Sequence, residues 1–199
     1  MGQITTKVAT LDEWDDVQAA LTGGGDGRAC QCAWPLMPSA QWRSSSLEER
    51  QEMLHAEIAG GPPPGVVAYV DGGAAGWIRV GPRTSQARIP RSRIVKGGSV
   101  EPPEDPSVWA VTCFSVRKEH RRKGLNAALL DAAVGYAREA GARVLEGYPI
   151  ATDTVTPTAN ELFVGSLSTF LGAGFREIAR PTARRVVVAL DLAGTGTPR

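Results

Sequence analysis

The sequence predicts an α/β fold, one mixed central sheet with helices packed on it. Three observations carry this. First, a long and almost continuously apolar run, Ser107–Val116, leads into a helical stretch ending near Ala140 and then into a second apolar run, Val144–Tyr148. Strand, helix, strand in that order implies parallel pairing through a right-handed crossover. Second, Val66–Val70 and Ala75–Val80 flank the tight turn Asp71-Gly72-Gly73, which reads as an antiparallel hairpin. Third, the chain closes on two more strand-like runs, Phe175–Ala179 and Arg185–Leu192.

The elements follow in order. Ile4–Val8 alternates apolar and polar residues and reads as a short strand. Thr10 and Glu13 have capping-box spacing, and Leu11, Trp14, Val17, Ala20 and Leu21 recur with helical period. Gly23–Gly27 ends that helix. An irregular segment follows with Cys30, Cys32, Trp34, Pro35, Pro38 and Trp42. Ser46 and Glu49 make a second capping box, and this helix stops at the Gly/Pro run 60–65. After the hairpin, residues 81–106 read as a basic loop punctuated by Pro and Gly. The apolarity of Ser107–Val116 suggests burial on both faces. A basic turn, Arg117–Lys123, opens a helix from Gly124 to Ala140, with Gly141 as its stop. Leu162–Leu171 reads as a helix closed by Gly172-Ala173-Gly174. Residues 193–199 read as a flexible tail, and 1–199 as a single domain.

Composition narrows the function. A chain of 199 residues hides roughly 70% of its extended surface on folding, enough for a core without staples. The net charge of +1 excludes a globally basic nucleic-acid binder, so any anion site must be a local cluster. Three cysteines do not suit a disulfide framework, and a reducing, cytoplasmic setting is expected. Neither a secretory leader nor an apolar run long enough to span a membrane is visible.

The informative segment is the basic turn. A buried strand feeds Arg117-Lys118-Glu119-His120-Arg121-Arg122-Lys123, and the turn feeds a helix at Gly124. Free N–H groups at a helix start carry partial positive charge, Gly124 lets an anion approach the backbone, and Arg121, Arg122 and Lys123 add full charges. This is the chemistry of a phosphate or pyrophosphate cradle; a solvated basic turn is the bland alternative. Neither a P-loop nor a dinucleotide-binding glycine fingerprint occurs in the chain.

Arg121-Arg122-Lys123-Gly124-Leu125-Asn126, set between a central strand and a Leu/Ala-rich helix, resembles the R/Q-x-x-G-x-G/A signature of the GNAT superfamily of N-acetyltransferases. The strand Val144–Tyr148 and the late helix ending Gly174-Phe175 fit the same pattern. Cys30-x-Cys32 near Trp34, Gly76-Trp77 to Gly81-Pro82-Arg83, and Gly147-Tyr148-Pro149 look like strings in bacterial members. Asn126 departs from the usual small residue.

The resemblance implies a mixed, mostly antiparallel central sheet with a parallel, splayed strand pair, flanked by helices. It implies acetyl-CoA as cosubstrate, without metal. Main-chain N–H groups from Arg122 through Lys123, Gly124, Leu125 and Asn126 to Ala127 would hold the pyrophosphate, with Arg121, Arg122 and Lys123 around it. Phe114, Ser115 and Val116 would pair with the pantetheine, a backbone N–H near Phe114 polarising the thioester carbonyl. Acetyl would pass directly to a primary amine of a small molecule or peptide. The partners implied are that acceptor and, as an option, a second copy in a homodimer, with no nucleic acid and no membrane. A non-catalytic acyl-CoA sensor or assembly module is the alternative.

Direct transfer wants a base for the ammonium and an acid for the leaving thiolate. The position where the family often carries tyrosine holds Phe170. Glu146 is the best-placed base, with a solvent-facing or salt-bridged Glu as the alternative, and Tyr148, Ser166, Ser168 or water are the candidates for the acid. Glu101, Glu104 and Asp105 are weaker candidates. Cys30 and Cys32 could line the acceptor pocket with Trp34 and Trp42 or simply pack, and packing is favoured for Cys113. A zinc site would need nearly every cysteine and histidine of the chain to converge. The basic loop residues Arg83, Arg88, Arg91, Arg93 and Lys96 could meet an acidic acceptor or the adenosine phosphate, or could be solvated.

Overall fold

A computed structural model describes residues 2–23, 25–158 and 160–193. Seven strands form one sheet: β1 (Ile4–Val8), β2 (Gly65–Val70), β3 (Gly73–Pro82), β4 (Val108–Val116), β5 (Val144–Gly147), β6 (Arg176–Thr182) and β7 (Arg185–Asp191), in the order β1-β2-β3-β4-β5-β7-β6. Only β4 and β5 pair in parallel. The helices are α1 (Trp14–Thr22), α2 (Gly27–Cys30), α3 (Ser39–Ser44), α4 (Leu47–Gly60), α5 (Arg93–Gly98), α6 (Leu125–Glu139) and α7 (Leu167–Gly172). The mixed, mostly antiparallel sheet expected from the sequence is the sheet observed.

Alternation along the strands divides the core in two. Leu125, Leu129, Leu130, Ala133 and Ala137 of α6 pack on Val66, Ala68, Ile78, Val80 and Val111. Each such leucine contributes roughly 1.5–3 kcal/mol. A second cluster joins Val17, Ala20 and Leu21 of α1 and Leu54 and Ile58 of α4 to Val67, Tyr69 and Trp77 of the sheet. Both capping boxes form: Thr10 with Glu13, and Ser46 with Glu49.

Two features depart from expectation. Residues 81–106 are not merely a loop. A 3-10 turn, Arg83–Ser85, and α5 lie within them, and α5 is capped by Ser92 Oγ accepting from Val95 N at 3.2 Å. Six residues are too few to show a helical period, but Gly98 of α5 packs closely on Pro181 and Val187. The expected helix Leu162–Leu171 is broken. A 3-10 turn, Glu161–Val164, ends at Gly165 with φ of +79°, and Ser166 then caps α7. Of the expected tail, residues 194–199 lie outside the described residues.

The parallel pair positions the site. β4 and β5 are in register from Val108↔Val144 to Val111↔Gly147, where β5 ends while β4 continues to Val116 beside β3. Arg79 opposes Cys113 and Val80 opposes Val111, so Thr112 is an extra residue on β4, a bulge. Beyond it the edge of β4 that faced β5 has no strand partner among the described residues. This is the splay expected of the strand pair.

Candidate active site

A cleft of about 920 Å³ opens at that splay. The end of β4 (Cys113, Phe114, Ser115, Val116) lines one wall, and the turn into α6 (Arg121, Arg122, Gly124, Leu125, Asn126, Ala127) lines one end. Of the residues expected to hold a cofactor, Lys123 alone is absent from the lining.

The turn has the geometry of an anion cradle. Gly124 caps α6 at φ +81° and Arg122 lies at φ +61°, both left-handed. A Cβ on Gly124 would meet nothing within 4 Å, so the fold asks for glycine there through φ alone. Ala127 N and Ala128 N both bond to Gly124 O, at 3.1 and 3.2 Å, whereas the N–H groups of Arg122 through Asn126 have no acceptor among the described residues. Five free donors thus converge on the positive end of a helix of 15 residues. Arg121 Nε donates to Val116 O at 3.2 Å, tying the turn to the strand end. Asn126 Oδ1 and His120 Nδ1, at the same end of the cleft, are buried without partners.

The opposite end is apolar and sulfur-rich. Cys30, Cys32 and Cys113 line it with Trp34 and Trp42, whose rings meet edge to face at 5.3 Å. Arg88 lies 3.5 Å from the centroid of the Trp34 ring, and Arg50 lies 3.9 Å from that of Trp42. Cys32 is 1% exposed, and its Sγ accepts from Trp77 Nε1 at 3.0 Å. The neighbouring Cys113 thiol, the nearby Arg79 guanidinium and the indole N–H together hold the Cys32 thiol below its ordinary range against burial. The neighbouring Cys32 thiol, with burial, pushes Cys113 well above that range. Burial and the neighbouring Cys32 charge raise Cys30 to about 11.

The catalytic residues expected from the sequence lie elsewhere. Glu146 is not in the cleft lining: its side chain is 1% exposed and paired with Arg83 Nη1 at 2.8 Å. Glu146 Oε1 also accepts from Ser99 Oγ at 2.5 Å, and Oε2 from Tyr148 Oη at 2.7 Å. A carboxylate buried under three donors and away from the cleft lining is not presented to a substrate ammonium. Tyr148 is buried, and burial together with the Glu146 charge raises its phenol far above the usual range, so it holds its proton on Glu146. Ser168 is exposed on α7, 3.1 Å from Ser166 Oγ, and Ser166 is occupied as the α7 cap; neither lines the cleft. Phe170 is a core residue, edge to face with Phe114 and Phe175.

Sequence reasoning did not find the partner of Glu146. Arg83 looked like a surface cation of a basic loop; it is fully buried and also donates to Ser99 Oγ, Glu101 O and Pro102 O. It also did not join Cys113 to the C-x-C pair, since the register of β3 and β4 brings Cys113 opposite Arg79, whose guanidinium bonds Cys32 O at 3.3 Å. Asp26, Leu162, Phe163, Thr169 and Arg185 also line the cleft, and no motif marked them.

A family model described as the acetyltransferase (GNAT) family matches residues 31–154, well over half of the chain. The chain belongs to this family and is an acyltransferase. Solved structures share its fold. YncA of Salmonella typhimurium, solved with its cofactor acetyl-CoA, aligns with a TM-score of 0.56 at 17% identity over 98% of each chain. An N-acetyltransferase from Staphylococcus aureus aligns at 0.55 and 15% identity, over 96% of this chain and 99% of that one. PaiA N-acetyltransferase from Thermoplasma acidophilum, in complex with coenzyme A, aligns at 0.53 and 12% identity, over 95% and 99%. No curated protein matches the sequence.

Proposed function

We propose that this chain is an acetyl-CoA-dependent N-acetyltransferase, working as one domain in the cytoplasm on a primary amine of a small molecule or peptide. The observation that carries this reading is the run of five N–H groups, Arg122 to Asn126, at the start of α6, which have no acceptor among the described residues and lie beside a strand edge with no strand partner among them. A diphosphate would satisfy those donors. Arg121 and Arg122 would add charge to it, and the backbone of Phe114 to Val116 would pair with the amides of pantetheine. The thioester would then lie near the β4 bulge, where a backbone N–H can polarise its carbonyl. The acceptor would enter past Trp34 and Trp42. The three free thiols suit the reducing setting expected from the sequence.

A thermal melt with CoA, acetyl-CoA and a nucleotide diphosphate lacking pantetheine tests this. Ligand at about 100 times its Kd stabilises the folded state by about 2.7 kcal/mol. The midpoint should rise with both CoA forms and less with the nucleotide. Arg121→Glu with Arg122→Glu should abolish most of the rise. No rise with millimolar CoA forms would reject the reading; binding without turnover over a broad amine panel would favour the acyl-CoA sensor instead.

A further inference from the structure

The β6–β7 hairpin carries four arginines, and three of them have an acid. Arg176 pairs with Asp191, Arg180 with Asp153 and Glu177, and Arg184 with Glu161, each at 2.9 Å or less. Arg185 has no carboxylate partner among the described residues, yet it is half-buried and lines the cleft. Its Nε and Nη2 donate to Tyr148 O at 3.2 and 2.8 Å, and Nη1 has no acceptor among the described residues. Burial pushes the guanidinium below its usual pKa, but an arginine stays charged. A desolvated cation without a counterion calls for an anion from outside the chain.

Contacts place this cation across the splay from Phe114, where the thioester carbonyl is expected. Tyr148 follows Gly147, the last residue of β5, which pairs with Val111 just before the β4 bulge. Arg185 bridges Ile150, Ile150 N donates to Gly165 O at 3.1 Å, and Gly165 stands against the Phe114 ring. The mount is fixed as well: Tyr148 Oη is bonded to Glu146, and Glu146 to Arg83. The one carboxylate in the cleft lining among the described residues, Asp26, is at the cradle end, where Gly25 and Gly27 lie beside Arg121 and Ser115. Arg88 and Arg50, over the Trp34 and Trp42 rings, likewise have no carboxylate partner among the described residues; they bond to carbonyls and serine hydroxyls. The acceptor end is therefore positive. Pantetheine and the thioester are uncharged, so the donor does not neutralise it.

We propose that the acceptor is a free amino acid with an apolar side chain, and that Arg185 anchors its carboxylate. This rests on the acetyl-CoA reading above. The free Nη1 would donate to a carboxylate oxygen in a charge-assisted bond. The side chain would cover Trp34 and Phe163, which are 36% and 41% exposed. The neutral amine attacks the thioester carbon, the carbon–sulfur bond breaks, and the proton lost from nitrogen goes to the departing thiolate. The products are an N-acetylamino acid and CoA thiol, and the carboxylate is unchanged. A peptide, whose first carboxyl is tied up in an amide, lacks the anion that Arg185 requires beside the amine.

The experiment first melts the protein with and without CoA, then measures CoA release from acetyl-CoA with the standard amino acids and with their amides. An amide keeps the amine and the side chain and loses only the negative charge. For an apolar amino acid, kcat/KM should exceed that of its amide by about a hundredfold, the upper range for a hydrogen bond to a charged group. Arg185→Met should raise KM for the amino acid and bring the two substrates level; a purely structural role would lower both alike. Arg185→Gln replaces it if the methionine variant misfolds, and both variants should keep the thermal shift by CoA. A normal CoA shift with amides or peptides acetylated as fast as free amino acids, or with no amino acid turned over, overturns the proposal and leaves the cofactor reading standing. An unchanged preference in the Arg185 variants removes Arg185 as the anchor. A midpoint raised by an apolar amino acid and not by its amide, with no shift by CoA, supports the anchor and overturns the cofactor reading. No shift with either ligand overturns both.

Discussion

Glu146 shows how one side chain changes its meaning with its neighbour. It lies on a strand adjacent to the central one, where a base would be looked for, and its side chain instead lies against Arg83 and Ser99 with both carboxylate oxygens in hydrogen bonds. Breaking a buried pair by removing one partner typically costs roughly 3–5 kcal/mol, because the remaining charge is left uncompensated. Arg83→Met and Glu146→Leu should therefore each lower stability by about that amount, and the double variant should recover much of the loss. Urea unfolding of the four proteins measures this. A stable Glu146→Leu protein with lost acetyl transfer would restore Glu146 to catalysis.

At the level of elements, the connection into β4 is held by one carboxylate. Asp105 Oδ1 accepts from Ser107 N at 2.9 Å and Ser107 Oγ at 2.6 Å, and Oδ2 pairs with Arg143 Nη2 at 2.8 Å. The Ser107 hydroxyl, then Arg143, lower its carboxyl from 3.8 to about 2. A carboxylate whose pKa falls on folding stabilises above its unfolded pKa and loses that contribution as pH drops through the folded value. The window here is about pH 4 down to 2. Asp105→Asn should give a shallower fall of the melting midpoint across that window, with equal slopes in the two proteins refuting the assignment. The short elements nearby explain what local pattern misses. α5 and α7 have six residues each, and each is capped by a serine, Ser92 and Ser166, that reads in sequence as ordinary loop or helix interior.

For the whole molecule, the sheet order puts β4 at the centre and leaves the splay as a gap between two halves. The first half is β1 to β4, with α6 on one face and α1 and α4 on the other; the second is β5, β7 and β6. Opening free energies follow burial and hydrogen bonding, so amides of β2, β3 and β4 should exchange most slowly, and those of the partly exposed edge strand β6 faster. Saturation with CoA should add protection at Arg122 to Asn126, whose N–H groups are free, and little in β1. Uniform protection across the sheet would contradict a ligand seated on that turn.

The sequence by itself determined the strands, the long helices, both capping boxes and the basic turn at Gly124, because each depends on residues within a few positions of one another. It also supplied the resemblance on which the acetyl-donor expectation rests. The choice among titratable groups was made by the tertiary structure alone. Arg83 is far from Glu146 in the chain and reaches it because 81–106 folds over the sheet. Cys113 packs against the cluster that holds Cys32 because the bulge in β4 turns its side chain to that face. Periodicity reports which face a side chain takes; what stands opposite that face is set by the packing of distant segments.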